Sequence, residues 1–555
     1  MAELDNKDFG VKDIAMFSGV VLLINNITGP GVPGLPNMFA EAGWLVPTLV
    51  LAAVWLMTTL SSCMYAEAMT HIPGNDQFQD RIEYSTIVRY YFGKNWYIAA
   101  IIGLNGALQS LNIISIIQSA QVMDNLIAAI FGETCALNIT PFSNAVAGAG
   151  VNGTDFFLEG STDLFSCIDT SDVSNGNAWG CHIVLSFGFI LTAAMAIPCG
   201  YWNLDDNMII QRVAFWLTVL CWIFWMVATI AKGTNLETLP GIAAVNTNPQ
   251  TGALGGVVGN ILFNFGFVTT VPSWINEKAP NVSVNKSLWS ATTICIFIYL
   301  AIGIPGAIVY SDVLQGPVSN TCPQQVAHPN YNCPNDLMQT LTQSSTAPWT
   351  SSPAASFLLS ASVYMFPIVA VVSSIPVFSI VIKYNLIENG FSNSVGIFWG
   401  VLFPWIVAFP LLYMPNVLAQ FVNFTSLVFV SFTDFIVPFS LYVELQRRQQ
   451  DSGREEVQRR ISETMSSPAG DVKSDTYSLY EHLYANEDAE AGGDQEFAYH
   501  TALPDGCGKN SPDFKIRLSW ALGTVLTVLS VVGFVLSIQQ GSYAFNSQVC
   551  ALVGN

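Results

Sequence analysis

Between Asn25 and Trp44 the chain reads NNITGPGVPGLPNMFAEAGW, and this stretch lies inside an apolar segment running from about Asp13 to Ala42. Glycines at 29, 31 and 34 and prolines at 30, 33 and 36 are incompatible with a continuous helix. Each proline removes a backbone donor, and glycine favours the unfolded backbone. In hydrocarbon the freed backbone groups are tolerated only where they face a cavity, a ligand or buried protein. The interruption therefore predicts a binding site, with a proline kink braced by neighbouring helices as the plainer alternative.

Hydrocarbon is the relevant solvent because 51% of the 555 residues are hydrophobic and only 10% are charged. The mean hydropathy is +0.45. Such a chain is not a soluble globule. Apolar runs long enough to cross roughly 30 Å of bilayer fall near 13–41, 43–68, 96–131, 181–199, 207–231, 254–276, 288–310, 353–382, 394–412, 416–445 and 516–538. The expected class is an all-α membrane protein with eleven transmembrane helices. The polar, acidic start MAELDNKDFGVKD ahead of a long, proline-broken run does not have the form of a cleavable signal peptide.

Short cytoplasmic loops carry the excess of Lys and Arg. Arg81, Arg89, Lys94, Lys278, Lys286, Lys383, Arg447 and Arg448 all fall on one side of this arrangement, whereas loops 132–180 and 311–352 contain neither residue and Lys232 is the clear exception. The N-terminus is therefore expected in the cytoplasm and the C-terminus outside. The domain reading is a cytoplasmic segment 1–12, a core 13–445, a polar and largely disordered cytoplasmic loop 446–515, a last span 516–538 and an outer tail 539–555. The net charge of −20 sits mostly in outer loops and the polar loop, and says little about ligands.

In the first long outer loop, Asn138 and Asn152 head glycosylation sequons. Similar patterns at Asn26, Asn281, Asn285 and Asn423 fall in spans or on the cytoplasmic side. Cysteines 135, 167, 181, 322, 333 and 550 all lie on the oxidising side, where Cys322 with Cys333 would close a short loop, although connectivity does not follow from spacing. Tyr480, three residues ahead of Leu483, has the form of a sorting signal that also arises by chance.

The segment 254–276, LGGVVGNILFNFGFVTTVPSWIN, is a second interrupted span, with Asn260, Asn264, Gly266, Thr269, Thr270 and Pro272 in a membrane-length stretch. The two breaks open two successive sets of five spans. Five is odd, so the sets are oppositely oriented: two inverted five-helix repeats plus one C-terminal helix. Paired breaks at matching positions of inverted halves point to a midplane substrate site in a secondary transporter.

With these residues in view, the chain resembles the amino acid/auxin permease family. The resemblance is carried by Asn25, Gly29, Gly31, Leu35, Pro36, Gly43 and Trp44 in the first span. The Phe-rich break, Val-Pro and Asn-Glu of the sixth, with the later Gly-x-x-Gly, add to it. It covers the spans and leaves out the tail and outer loops. It implies a LeuT-type fold and cation-coupled movement of amino acids or close analogues. It also implies a sodium ligand at Asn25, the position that the family's sodium-coupled branch uses.

A broken helix offers free N–H groups and the positive end of a dipole to a carboxylate, and exposed carbonyls to an ammonium or a cation. The expected substrate site is Thr28, Gly29 and Gly31 from the first break, with Asn264, Gly266 and Thr269 from the second. Asn105, Gln109 and Asn112, spaced i, i+4, i+7, share one helix face; they either line the cavity or bond neighbouring helices. For the coupling ion, Ser373 and Ser374 supply hydroxyl oxygens opposite Asn25 for sodium, whereas Asp434, an acid inside a span, favours a proton. Both ions stay open. No metal or other cofactor is expected.

No charged residue is evident in the pocket to pair with a charged side chain, which favours a neutral amino acid. An integral-membrane enzyme is disfavoured, because no histidine lies in the core of a span and no titratable pair or phosphate loop appears. A sensor that kept the transporter fold is the remaining alternative. The partners expected are the amino acid and the bilayer, without nucleic acid; oligomeric state is open. The host membrane is either the plasma membrane or a vacuolar or lysosomal one.

Overall fold

The computed structural model describes residues 10–138, 165–169, 184–233, 252–311, 313–314, 334, 336–342, 353–413, 417–465, 501–503 and 512–539. Asn152, Cys181, Cys322, Cys333, Tyr480 and Cys550 lie outside them.

Helix α1 (Met16–Ile27) stops where the glycines and prolines begin, and a 3-10 turn (Val32–Gly34) leads into α2 (Leu35–Ala42). Gly43, at φ 83°, permits the turn into α3 (Leu45–Thr70). A short α4 (Tyr84–Phe92) precedes the long α5 (Lys94–Phe131). After α5 come strands β1 (Glu133–Asn138), β2 (Phe165–Asp169) and β3 (Val184–Ser186), antiparallel in the order β2-β1-β3. Helices α6 (Phe187–Gly200) and α7 (Met208–Lys232) follow.

The second interrupted segment is α8 (Gly252–Asn264), a 3-10 turn (Val268–Thr270) and α9 (Val271–Glu277), continued by α10 (Val284–Val309). Beyond α11 (Leu337–Thr342), the helical run Pro353–Glu388 contains a π-helical stretch at Pro367–Val371 between α12 (Pro353–Phe366) and α13 (Val372–Glu388). The next run is α14 (Asn393–Ile397), a π stretch Phe398–Leu402 and α15 (Phe403–Leu411). In the following run, α16 (Val417–Thr425) and α17 (Val437–Met465) flank π stretches at Ser426–Val430 and Phe432–Ile436. The last helix is α18 (Pro512–Gln539).

Among the described residues, eight helices are long and apolar enough to cross a membrane, and Met16–Ile27 and Phe187–Gly200 are shorter apolar ones. The chain is therefore a multi-pass integral membrane protein. Phe297, Trp216, Ile209 and Phe357 are exposed, as lipid-facing residues should be.

One local structure differs from the sequence reading. α17 runs on to Met465, into the stretch read as a disordered loop, because Gln, Arg and Glu are good helix formers. Its side chains also help hold it: Arg448 pairs with Glu444 at 3.0 Å and donates to the Tyr91 carbonyl at 2.7 Å. The cysteine pair found is Cys135–Cys167, facing partners across β1 and β2. At the same end Asp124, in the last turns of α5, accepts from Ser186 Oγ at 2.6 Å and from the Gly188 N–H at 2.8 Å, which fixes the start of α6 to the sheet.

Candidate functional site

The first break opens at Thr28, whose hydroxyl donates to the Ile24 carbonyl at 2.7 Å and closes α1. Among the described residues the N–H groups of Gly29 and Gly31 then have no hydrogen-bond partner, while those of Val32 and Gly34 turn back to the carbonyls of Gly29 and Gly31. A Cβ on Gly29 would meet nothing within 4 Å, so this backbone borders open space. A Cβ on Gly31 would stand 2.2 Å from Asn264 Oδ1, at the end of α8, so here the two breaks touch. Asn26 donates to Thr270 Oγ1 at 3.4 Å, and Tyr299 of α10 donates its hydroxyl to the Ile27 carbonyl at 2.6 Å and the Asn264 carbonyl at 3.3 Å.

Around this junction Asn26 Oδ1, Asn264 Oδ1, Thr269 Oγ1 and Gln118 Oε1 are buried and have no partner. Buried polar atoms nearly always find one, so these groups at a pair of helix breaks are available to a ligand or to water. Gln118 belongs to this site because its Nε2 donates to the Pro30 carbonyl at 3.3 Å. Ser115 and Ser119, on the same face of α5, also carry buried, unpartnered hydroxyls.

Of the expected substrate residues, Thr28, Gly29, Gly31, Asn264 and Thr269 gather at the junction. Gly266 lies beside it, where a Cβ would meet Val430 at 2.9 Å. Asn105 and Gln109 instead grip Trp399: Asn105 Oδ1 accepts from its indole N–H at 2.8 Å, and Gln109 donates to its carbonyl at 2.7 Å. Asn112 donates to Ser379 Oγ at 3.2 Å. Their contacts support interhelical bonding; further along α5 the polar residues continue through Ser115, Gln118 and Ser119, of which Gln118 bonds to the first break. That continuation was visible in the sequence; Tyr299 was not, since a buried tyrosine in a span reads as core.

Asn25 donates to the Gln211 carbonyl at 2.9 Å and to Gln211 Oε1 at 2.8 Å, and Gln211 Nε2 donates to the Ser373 carbonyl at 2.7 Å. The hydroxyls of Ser373 and Ser374 turn back to Ala370 and Val371. Asn25 and Ser373 thus face one another through the amide of Gln211. The remaining ion candidate, Asp434, sits in a π stretch and caps the second break: its Oδ2 accepts the Val268 N–H at 2.9 Å, and the Thr269 N–H also bonds to it. Carbonyls displaced by that stretch are taken up by Ser61, on Asp434, and by Tyr84, on Thr433 at 2.7 Å.

Both broken segments are anchored at the end of the molecule that carries Arg81 and Lys278. Residue Ile14 forms a parallel bridge with Lys278, with bonds of 3.1 Å to the Glu277 carbonyl and 3.0 Å from the Ala279 N–H. Glu277 accepts the N–H groups of Gly10 and Asp205. Glu83 accepts from Ser273 at 2.5 Å and Asn276 at 2.9 Å on α9, and from Asn385 on α13 at 3.2 Å. Burial pushes Glu83 up to about 7 against the pull of the Ser273 and Asn276 bonds, and Glu277 up to about 8 with Asp205 adding to the rise.

Two discontinuous helices meeting at unpaired backbone and amide groups, inside an apolar bundle, define the class: a membrane transporter with a central site. The comparisons agree. The model of the tryptophan/tyrosine permease family matches residues 12–157. The crystal structure of MhsT in complex with L-phenylalanine superposes with a TM-score of 0.55 at 11% identity, covering 95% of this chain and 100% of that one. No curated protein sequence matches the chain. The likeness gives the chain the LeuT-type fold, and together the two findings make it a transporter rather than an enzyme. The family match, over residues 12–157, bears out the expected resemblance to a transporter family without confirming the amino acid/auxin permease label.

Proposed function

We propose that the chain is a secondary active transporter of neutral amino acids that alternates access around its two broken helices. One observation carries this reading: the free N–H groups of Gly29 and Gly31 stand at the same junction as the unpartnered amide oxygens of Asn26 and Asn264. Donors for a carboxylate beside acceptors for an ammonium are what a zwitterion requires. The matched family's description and the phenylalanine held by MhsT support an aromatic amino acid as the cargo. The one carboxylate at the junction, Asp434, is already engaged with backbone N–H groups, which supports an uncharged substrate side chain.

The coupling ion we infer is a proton. Gln211 already fills the space between Asn25 and Ser373, and the serine hydroxyls are turned to their own helix. Asp434 at the second break is the group able to carry a proton. Sodium held by Asn25, Ser373 and Ser374 is the second reading, favoured by the burial of Asn25 beside the break. In this scheme the two breaks head inverted five-helix repeats within eleven spans, and the end bearing Arg81 and Lys278 is cytoplasmic.

The test is uptake of radiolabelled amino acids into vesicles holding the full chain, with proton and sodium gradients imposed separately. Accumulation of phenylalanine, tyrosine or tryptophan driven by an inward proton gradient is expected. Indifference to every amino acid under both gradients would overturn the reading.

A further inference from the structure

The carbonyls that end the first halves of the two broken helices, Ile27 and Asn264, are the groups a substrate ammonium would be expected to meet. In this protein both are bonded to one neutral donor, the hydroxyl of Tyr299. Tyr299 is fully buried, and its ring packs edge-on against Phe265 with centroids 5.4 Å apart, so the hydroxyl is held from both ends. The acceptors left over at the junction are side-chain oxygens: the amide oxygens of Asn26, Asn264 and Gln118 and the hydroxyl of Thr269.

We propose that Tyr299 is a positioning residue of the substrate site: it ties the two breaks together and, by occupying their carbonyls, leaves the ammonium to the amide oxygens of Asn26 and Asn264. This rests on the reading of the chain as an amino acid transporter. Two consequences separate it from ordinary core packing. Loss of the hydroxyl leaves two buried carbonyls without a donor, which lets the breaks drift apart and disturbs Asn264, whose carbonyl and side chain belong to the same residue. The disturbance falls on ligand affinity, because the amide oxygens are the ligand's acceptors.

The experiment uses the purified full chain, with thermal stabilisation by phenylalanine, tyrosine and tryptophan measured first on the unmodified protein. Stabilisation by none of them would count against the transport reading and not against Tyr299 in particular. With binding established, Tyr299→Phe in vesicles should raise KM roughly tenfold, the scale of one hydrogen bond in a buried site, while the maximal rate stays within about twofold. An unchanged KM, or KM, maximal rate and thermal stability all failing together, overturns the proposal. Should Tyr299→Phe not fold, Asn264→Ala leaves the Tyr299 bonds to both carbonyls in place and removes only the amide oxygen. It must then raise KM on its own, and an unaltered KM there refutes the assignment.

Discussion

Gly31 and Asn264 meet so closely that no side chain fits between them: a Cβ on Gly31 would lie 2.2 Å from Asn264 Oδ1 and 2.7 Å from its Cγ. A Cβ on Gly29, two residues earlier, would have no atom within 4 Å. The two glycines therefore fail differently. Gly31→Ala should displace Asn264 and reduce transport at least tenfold, whereas Gly29→Ala should transport normally and only Gly29→Leu, by filling the open space, should block uptake. Vesicle uptake of the three variants at matched protein levels checks this, and equal tolerance of alanine at both positions would contradict it.

Asp434 is both a proton candidate and the cap of the second break, and two substitutions separate the roles. Asparagine keeps an acceptor for the Val268 N–H, while alanine does not. Asp434→Asn should retain substrate exchange and lose its acceleration by a proton gradient. Asp434→Ala should lose exchange as well, with a destabilisation of about 1–2 kcal/mol from the missing cap. Full gradient-driven uptake by the asparagine variant would remove Asp434 from the coupling.

Asn25→Ala leaves Gln211 Oε1 without its donor in a buried setting, and a loss of about 1–3 kcal/mol of stability is expected. On the proton reading, uptake by the unmodified chain is the same in sodium and choline buffers. A sodium requirement that weakens in Asn25→Ala would restore the sodium shell.

The acids beneath the sixth-span half-helix predict a pH response. Burial raises Glu83 to about 7 and Glu277 to about 8 from an ordinary value of 4.5. An acid raised in the closed arrangement supports it while protonated; that support is complete below pH 4.5 and is lost as pH rises through the raised values. Contacts of residues 10–14 with 277–279 should therefore loosen as pH rises from about 4.5 to about 8 and change little above that. Hydrogen exchange of those amides, corrected for intrinsic base catalysis, should show extra acceleration, and Glu83→Gln with Glu277→Gln should flatten it.

Glycosidase should shift the mobility of protein made in a eukaryotic cell, and removing Asn138 and Asn152 together should abolish the shift. Persistence in the double variant would place another sequon outside and invert the assigned sidedness.

The breaks were legible because glycine and proline act locally: clustered as Gly29, Pro30 and Gly31 they disrupt a helix, where a single one such as Pro305 in α10 does not. Most helix starts and ends fall within several residues of the apolar runs, whereas α17 continues to Met465, well past the run that ends at 445. What escaped was pairing. Asn105 and Gln109 carry the same chemistry as Gln118, and only the packing of α5 decides that the former bond to Trp399 and the latter to Pro30. Cys135 and Cys167 are joined across a sheet that no strand pattern announced, whereas the short spacing of Cys322 and Cys333 drew attention to a pair outside the described residues. The π stretches are equally silent in sequence, although one of them carries Asp434 to its cap.

The parallel bridge between Ile14 and Lys278 gives biosynthesis a fixed order of events. More than half of the core must leave the ribosome before residue 14 can meet its partner. Until then the opening helix, with its glycines and unpaired amides, sits in the bilayer without the half-helix that completes it. Quality control therefore has a defined window on this chain: until residues 277–279 have emerged, the first helix has no partner for Ile14.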